Sequence, residues 1–186
     1  GYLDGVYGVK TGFTNGANRC LVTAVKRNNI DLICIVLGAD TKKDRTRDTI
    51  KLIEYAFKTF SPYNIKEKIE NEFQNWILCN SNSFSVSKGS SNDISPYLEN
   101  LNYEYLPLSS NQIQNLSIYI YCNYTLTAPL EKDSSIGTLA VNIDDKNIIT
   151  LNIKNENSIS KMTYKDFFKS LIKSYPYCLE SIIFNT

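Results

Sequence analysis

No histidine occurs anywhere in the 186 residues, and that absence excludes more than any other count. Without imidazole the chain holds no Ser-His-Asp or Cys-His machinery and no His-ligated metal. Acid–base chemistry is left to Lys, Tyr, a carboxylate, or groups from outside this sequence. Charge of one sign is also missing: 20 Lys and Arg face 19 Asp and Glu, a formal net charge of +1. Nothing therefore draws the chain to an acidic surface, and no basic stripe interleaved with aromatics points to nucleic acid. No apolar run reaches the roughly 20 residues of a membrane-spanning helix, and no signal-peptide pattern opens the sequence. Gly1-Tyr2-Leu3 has no initiator Met and leads straight into a strand pattern, as expected of a piece of a longer protein. On that reading a missing leader says nothing about location.

Five cysteines (Cys20, Cys34, Cys79, Cys122 and Cys178) are scattered and never spaced Cys-x-x-Cys. They form neither a zinc pattern nor a disulfide framework. The first four sit in apolar, strand-like runs, where Cys packs as a small hydrophobe.

What is there begins with strands. Residues 5–14 form a glycine-punctuated strand pattern, and Cys20–Lys26 and Asp31–Leu37 follow as β-branched runs. Asn28-Asn29 between the last two predicts a tight hairpin, because Asn tolerates positive φ. Thr41-Lys-Lys-Asp44 resembles a capping box. A helix is expected through about Phe60, with Ile50, Ile53, Ala56, Phe57 and Phe60 recurring at three and four, and Ser61-Pro62 stopping it. From Tyr63 to Asn155 the texture predicts short strands and polar turns: Trp76–Cys79, Phe84–Val86, Tyr105–Leu108, Ile118–Tyr124 and Ile148–Ile153. The Ser/Asn-rich stretch 80–95 reads as a loop or hairpin. From Lys161 helical spacing returns. Tyr164, Phe167, Phe168, Leu171, Ile172 and Tyr175 lie on one side, and Lys161, Lys165, Lys169 and Lys173 form an i, i+4 row on another, until Pro176 interrupts.

The chemistry centres on Lys10-Thr11-Gly12 at the end of the first strand. A lysine ammonium offers positive charge to an anionic group, a threonine hydroxyl can hydrogen-bond a carboxylate, and glycine lets a peptide lie close along the strand. Taken alone, the tripeptide reads first as a turn beside a solvated lysine.

The wider sequence resembles the low-molecular-mass penicillin-binding proteins, the serine D-alanyl-D-alanine carboxypeptidases. Asp4-Gly-Val-Tyr-Gly-Val-Lys-Thr-Gly-Phe-Thr14 resembles their K-T-G region, and 19–27 and 31–39 resemble the two strands after it. Thr41-Lys-Lys-Asp-Arg45 and the helix from Asp48 to Phe60 continue in the same order. Leu126-Thr-Ala-Pro-Leu-Glu-Lys-Asp-Ser-Ser-Ile-Gly-Thr-Leu139 is similar to a segment of their C-terminal domain.

The resemblance implies an α+β, multidomain chain. Residues 1–62 would end a transpeptidase-like domain, 63–155 would form a small all-β sandwich, and 156–186 an amphipathic tail that anchors to a membrane surface. It implies that Lys10, Thr11 and Gly12 bind the D-Ala-D-Ala end of a peptidoglycan stem peptide and that the Phe13 backbone N–H is one oxyanion-hole donor. Arg45 would lie near the substrate carboxylate, the alternative being a surface arginine opposite Asp44 or Asp48. β-Lactam antibiotics would be ligands together with the rest of the enzyme. No metal or cofactor is implied, and the site of action would be extracytoplasmic, at the bacterial membrane and cell wall.

The family's nucleophile motif S-x-x-K and its S-x-N should precede K-T-G. Ser85-x-x-Lys88, Ser158-x-x-Lys161 and Ser170-x-x-Lys173 match the first by letter, and Ser90-x-Asn92 and Ser109-x-Asn111 the second, but all follow it and read as accidents. Two other readings stay open. One is a non-catalytic wall-binding or interaction module on the same fold, and the other is a different acyl-serine enzyme such as a β-lactamase.

Overall fold

A computed structural model describes residues 3–169 and 171. It is mixed α and β with strands predominating, and it divides into two compact units. Among the described residues the first comprises 3–70, 101–117 and 142–146, and the second comprises 71–100, 118–141, 147–169 and 171.

In the first unit, β1 (Val6–Thr14), β2 (Asn18–Arg27) and β3 (Ile30–Ala39) form an antiparallel meander in the order β1-β2-β3. The Asn28-Asn29 turn forms as expected. Both residues have positive φ (46° and 63°) and Arg27 pairs with Ile30, so the two-residue loop follows the strand twist. Close to this turn Gly5 takes φ +77°, and a Cβ there would collide with the Lys26 carbonyl. Its own carbonyl accepts from Lys26 N–H at 2.9 Å.

Helix α1 (Lys42–Thr59) starts at Thr41, whose hydroxyl accepts from Asp44 N–H at 3.0 Å. The helix covers one face of β2 and β3. Leu21, Thr23 and Val25 of β2 and Thr49 and Ile53 of α1 are buried there. Arg27 fastens the layers by an ion pair to Glu54 (3.0 Å) and by lying over the Phe57 ring, 4.8 Å from its centroid. On the opposite face Ile33, Ile35 and Leu37 are exposed. Past α1, β4 (Ser61–Asn64) pairs antiparallel with β7 (Tyr105–Leu108).

One expectation fails after Tyr63. Trp76–Cys79, read as a strand, is the last turn of helix α2 (Ile65–Asn80). Ile65, Ile69 and Phe73 recur at four and are buried, so a core-facing helical stripe outweighs the β-prone Trp-Ile-Leu-Cys run. Cys79 is consequently exposed on the helix rather than packed in a strand.

The second unit holds a four-stranded sheet in the order β6 (Pro96–Leu98), β11 (Lys146–Asn155), β10 (Ser135–Ile143), β8 (Leu116–Cys122). Two three-residue strands, β5 (Ser85–Ser87) and β9 (Thr125–Thr127), pair in parallel. Its core joins Leu139, Val141, Leu151 and Ile153, all buried, and an aromatic cluster of Phe73, Trp76, Phe84 and Tyr124. The Ala128–Pro129 bond is cis. Asn155 is fully buried, and both polar atoms of its amide are engaged: Oδ1 accepts from Ser95 N–H at 2.8 Å and Nδ2 donates to Asn157 O at 2.6 Å. Residues 164–169 are helical, with Tyr164, Phe167 and Phe168 at least half exposed. Ile172, Lys173, Tyr175 and Pro176 of the expected tail, and Cys178, lie outside the described residues.

Candidate functional site

The K-T-G tripeptide lies on β1, the outermost strand of the meander. Alternation along that strand sorts its side chains to two faces. Thr11 pairs with Leu21 and Val9 with Thr23, both buried partners on the α1 side. Lys10 pairs with Val22 and Gly12 with Cys20, on the other side. A bulge between Val6 and Gly8 sets this phase. Tyr7, within the bulge, donates its phenol proton to Asp31 at 2.7 Å, and that hydrogen bond to a carboxylate raises the phenol above its usual range. Lys10 and Thr11 therefore do not share a face. They meet only at the strand's edge, where Lys10 Nζ turns back to donate to the Thr11 carbonyl at 2.8 Å.

Thr11 shares its face with Arg45, from the first turn of α1. Both line one cavity of about 530 Å³, together with Val9, Thr23 and Thr49. Asp44 and Asp48 do not hold Arg45, because Arg47 takes both, at 2.9 and 3.3 Å. Among the described residues Arg45 Nε is buried without a hydrogen-bond partner, and so is the hydroxyl of Thr23, which is only 4% exposed. Unsatisfied buried donors are uncommon and costly. The Arg45 guanidinium and the hydroxyls of Thr11 and Thr23, all lining one cavity, are groups of the kind that hydrogen-bond a carboxylate or another oxygen acceptor. Thr23 escaped the sequence reading because a β-branched residue mid-strand reads as packing, and only its missing partner marks it.

Phe13 stands opposite Arg19, whose guanidinium lies 4.9 Å from its ring centroid and also donates to Asp40 O at 2.9 Å. Its backbone thus belongs to the outermost strand just past Gly12. The adjoining turn is closed by Ala17 N–H donating to Thr14 Oγ1 at 3.0 Å. At Gly12 a Cβ would meet Cys20 Cβ at 3.6 Å, an ordinary contact, so glycine is not demanded by packing within the sheet.

A K-T-G tripeptide is also a motif of the penicillin-recognising acyl-serine enzymes. Comparison with known proteins narrows this. Residues 2–41 match the family described as D-alanyl-D-alanine carboxypeptidase, and residues 78–161 match the one described as penicillin-binding protein 5, C-terminal domain. The chain is 24% identical over 177 residues to the D-alanyl-D-alanine carboxypeptidase DacF of Bacillus subtilis, covering 90% of this chain and 41% of that protein. It is 29% identical over 144 residues to DacA of Escherichia coli, covering 77% of this chain and 33% of that protein. Two crystal structures share the fold. The carboxypeptidase DacD of Francisella tularensis has TM-score 0.53 and 21% identity, over 86% of this chain and 37% of its own. Penicillin-binding protein 5 of Haemophilus influenzae has 0.54 and 22%, over 82% and 43%. The chain is a relative of the low-molecular-mass penicillin-binding proteins and corresponds to their C-terminal portion. It spans well under half the length of the curated relatives it matches.

Proposed function

We propose that this chain supplies the substrate-binding edge of a serine D-alanyl-D-alanine carboxypeptidase. The enzyme would remove the terminal D-Ala of a peptidoglycan stem peptide outside the cytoplasmic membrane. The observation that carries the reading is Thr11 and Arg45 lining one cavity beside the bare edge of the K-T-G strand. The stem peptide adds to β1 as an extra strand. Thr11 and Arg45 receive its terminal carboxylate, Lys10 contributes positive charge from the other face, and Gly12 leaves the edge open. The Phe13 N–H is one of two donors for the oxyanion that forms when serine attacks the penultimate D-Ala carbonyl. D-Ala leaves as the amine, and water hydrolyses the acyl-serine.

The nucleophile comes from outside these residues, on a layer that packs against the exposed apolar face of Ile33, Ile35 and Leu37. β-Lactams would acylate that same serine. The testing experiment uses fluorescent penicillin on two proteins: this chain alone, and the product of its complete gene. The complete protein should take up one label per molecule and release D-Ala from a diacyl-Lys-D-Ala-D-Ala peptide, while this chain does neither. Stoichiometric label on Ser85, Ser158 or Ser170 of this chain would sink the assignment.

The stretch from Lys161 onward serves, in the same reading, as an interfacial anchor. Phe167, Phe168 and Leu171 are about half exposed or more, and Lys161, Lys165 and Lys169 match anionic headgroups. No described helix is long and apolar enough to cross a membrane. The chain should sediment with anionic vesicles at low salt, and a version ending at Asn155 should stay in the supernatant. Equal partitioning of the two would remove the anchor.

A further inference from the structure

Tyr119 and Tyr121 lie on β8, the outer strand of the four-stranded sheet, two positions apart and so on one face. Their rings stand 6.3 Å apart between centroids with planes 22° from parallel, and they are 44% and 62% exposed. No described residue hydrogen-bonds either phenol. Two large aromatic rings held in register and left to solvent form a surface shaped to receive something flat.

The backbone beneath them is fixed. Gly137 of β10 lies so close to β8 that a Cβ would collide with the Tyr121 carbonyl and stand 2.9 Å from Cys122 Cα. Asn123 N–H donates to Ile136 O at 3.0 Å, clamping the strand just past the rings. The pair is therefore presented by a rigid support rather than by a loop, which lowers the ordering cost of binding.

Charge narrows the ligand. Leu-Ser-Ile-Tyr-Ile-Tyr-Cys of β8 and Ser-Ile-Gly-Thr-Leu-Ala-Val-Asn-Ile of β10 contain no ionisable acid or base other than the two phenols and one thiol. Burial pushes that Cys122 thiol up to about 11, so it stays neutral. A nucleic acid, an anionic membrane or a charged peptide would find no counter-charge on these strands. A sugar ring fits: its C–H face lies against an aromatic ring, and its hydroxyl and acetamido groups hydrogen-bond phenol and threonine hydroxyls. Thr138, next after Gly137 and half-buried, supplies such a hydroxyl.

We propose that the Tyr119–Tyr121 pair is a glycan platform that takes a neutral N-acetylated hexosamine strand. The assignment deepens the reading above, since the stem peptide proposed as substrate is carried on such a glycan. It would hold the second unit on the polymer while the K-T-G edge works on the peptide.

The test titrates the full chain with the N-acetylglucosamine tetramer, followed by NMR shifts, together with co-sedimentation on purified sacculi. Wild-type protein should bind both. Tyr121→Ala and Tyr119→Ala should each bind about tenfold more weakly, and the two Tyr→Phe variants should stay within about threefold, because the stacking ring is kept. Circular dichroism melts establish that each variant is folded. No tetramer or sacculus binding by the wild type, or binding unchanged by both alanine variants, overturns the proposal. So does a sedimentation-velocity dimer that Tyr121→Ala dissolves, which would make the face a contact with a second copy. The tetramer carries no peptide and cannot acylate the serine, so its binding and the penicillin assay succeed or fail separately.

Discussion

In the protein made from its complete gene, Thr11→Val should slow acylation by labelled penicillin by about 10²-fold or more. Arg45→Ala should do the same. Both residues line the cavity beside the strand edge, and among the described residues Arg45 Nε has no hydrogen-bond partner. The loss should fall mainly on the acylation rate constant, because the carboxylate contact orients the carbonyl for attack. Lys10→Ala, acting from the other face, should lower the rate without altering the melting temperature, since among the described residues Lys10 Nζ bonds only the neighbouring Thr11 carbonyl. Stopped-flow acylation on the three variants measures this. Unchanged rates in all three would leave Lys10-Thr11-Gly12 as an ordinary strand end with a solvated lysine. The double variant Thr11→Val with Arg45→Ala separates a shared role from two independent ones. If they bind one carboxylate, the combined loss should be less than the product of the single losses.

The second large effect concerns stability. Asn155→Ala should destabilise the protein by about 3 kcal/mol, because it strands Ser95 N–H and Asn157 O in a fully buried setting. Urea melts monitored by Trp76 fluorescence would report it, since that ring belongs to the same unit's aromatic cluster. Asn155→Asp is a useful companion. It keeps the acceptor for Ser95 but puts a carboxylate oxygen against the Asn157 carbonyl, so it should also destabilise and should do so less at low pH. A loss below about 0.5 kcal/mol in both variants would mean that water replaces the amide.

How much of this was legible beforehand varies with the kind of signal. The β2–β3 hairpin was readable because two asparagines at the turn and β-branched runs on either side agree. Helix α1 was readable because Thr41, Asp44 and the apolar spacing agree. Helix α2 was missed where two signals conflict: Trp76-Ile-Leu-Cys79 has β-prone composition, while Ile65, Ile69, Phe73 and Trp76 keep helical spacing. The longer pattern wins because it buries more. The β5–β9 pairing was invisible, since three-residue strands carry no period and a parallel pair comes from distant segments. Of the candidate site, Lys10, Thr11, Gly12, Phe13 and Arg45 came from residue type, order and resemblance. The separation of Lys10 from Thr11 across the sheet follows from strand alternation. That Thr23 lacks a partner could only be seen once its neighbours were in place.

The meander that carries Thr11 and the helix that carries Arg45 are sequence neighbours, and chain entropy gives that a consequence. Its central hairpin closes through two residues, whereas joining β6 to β11 pairs Leu98 with Ile153, 55 positions along the chain. On a logarithmic loop-closure scale the longer connection costs about 3 kcal/mol more. Residues 6–59 therefore fix the cavity shared by Thr11 and Arg45 with little dependence on distant segments. Damage to the larger sheet should shorten the protein's lifetime before it alters the shape of that cavity.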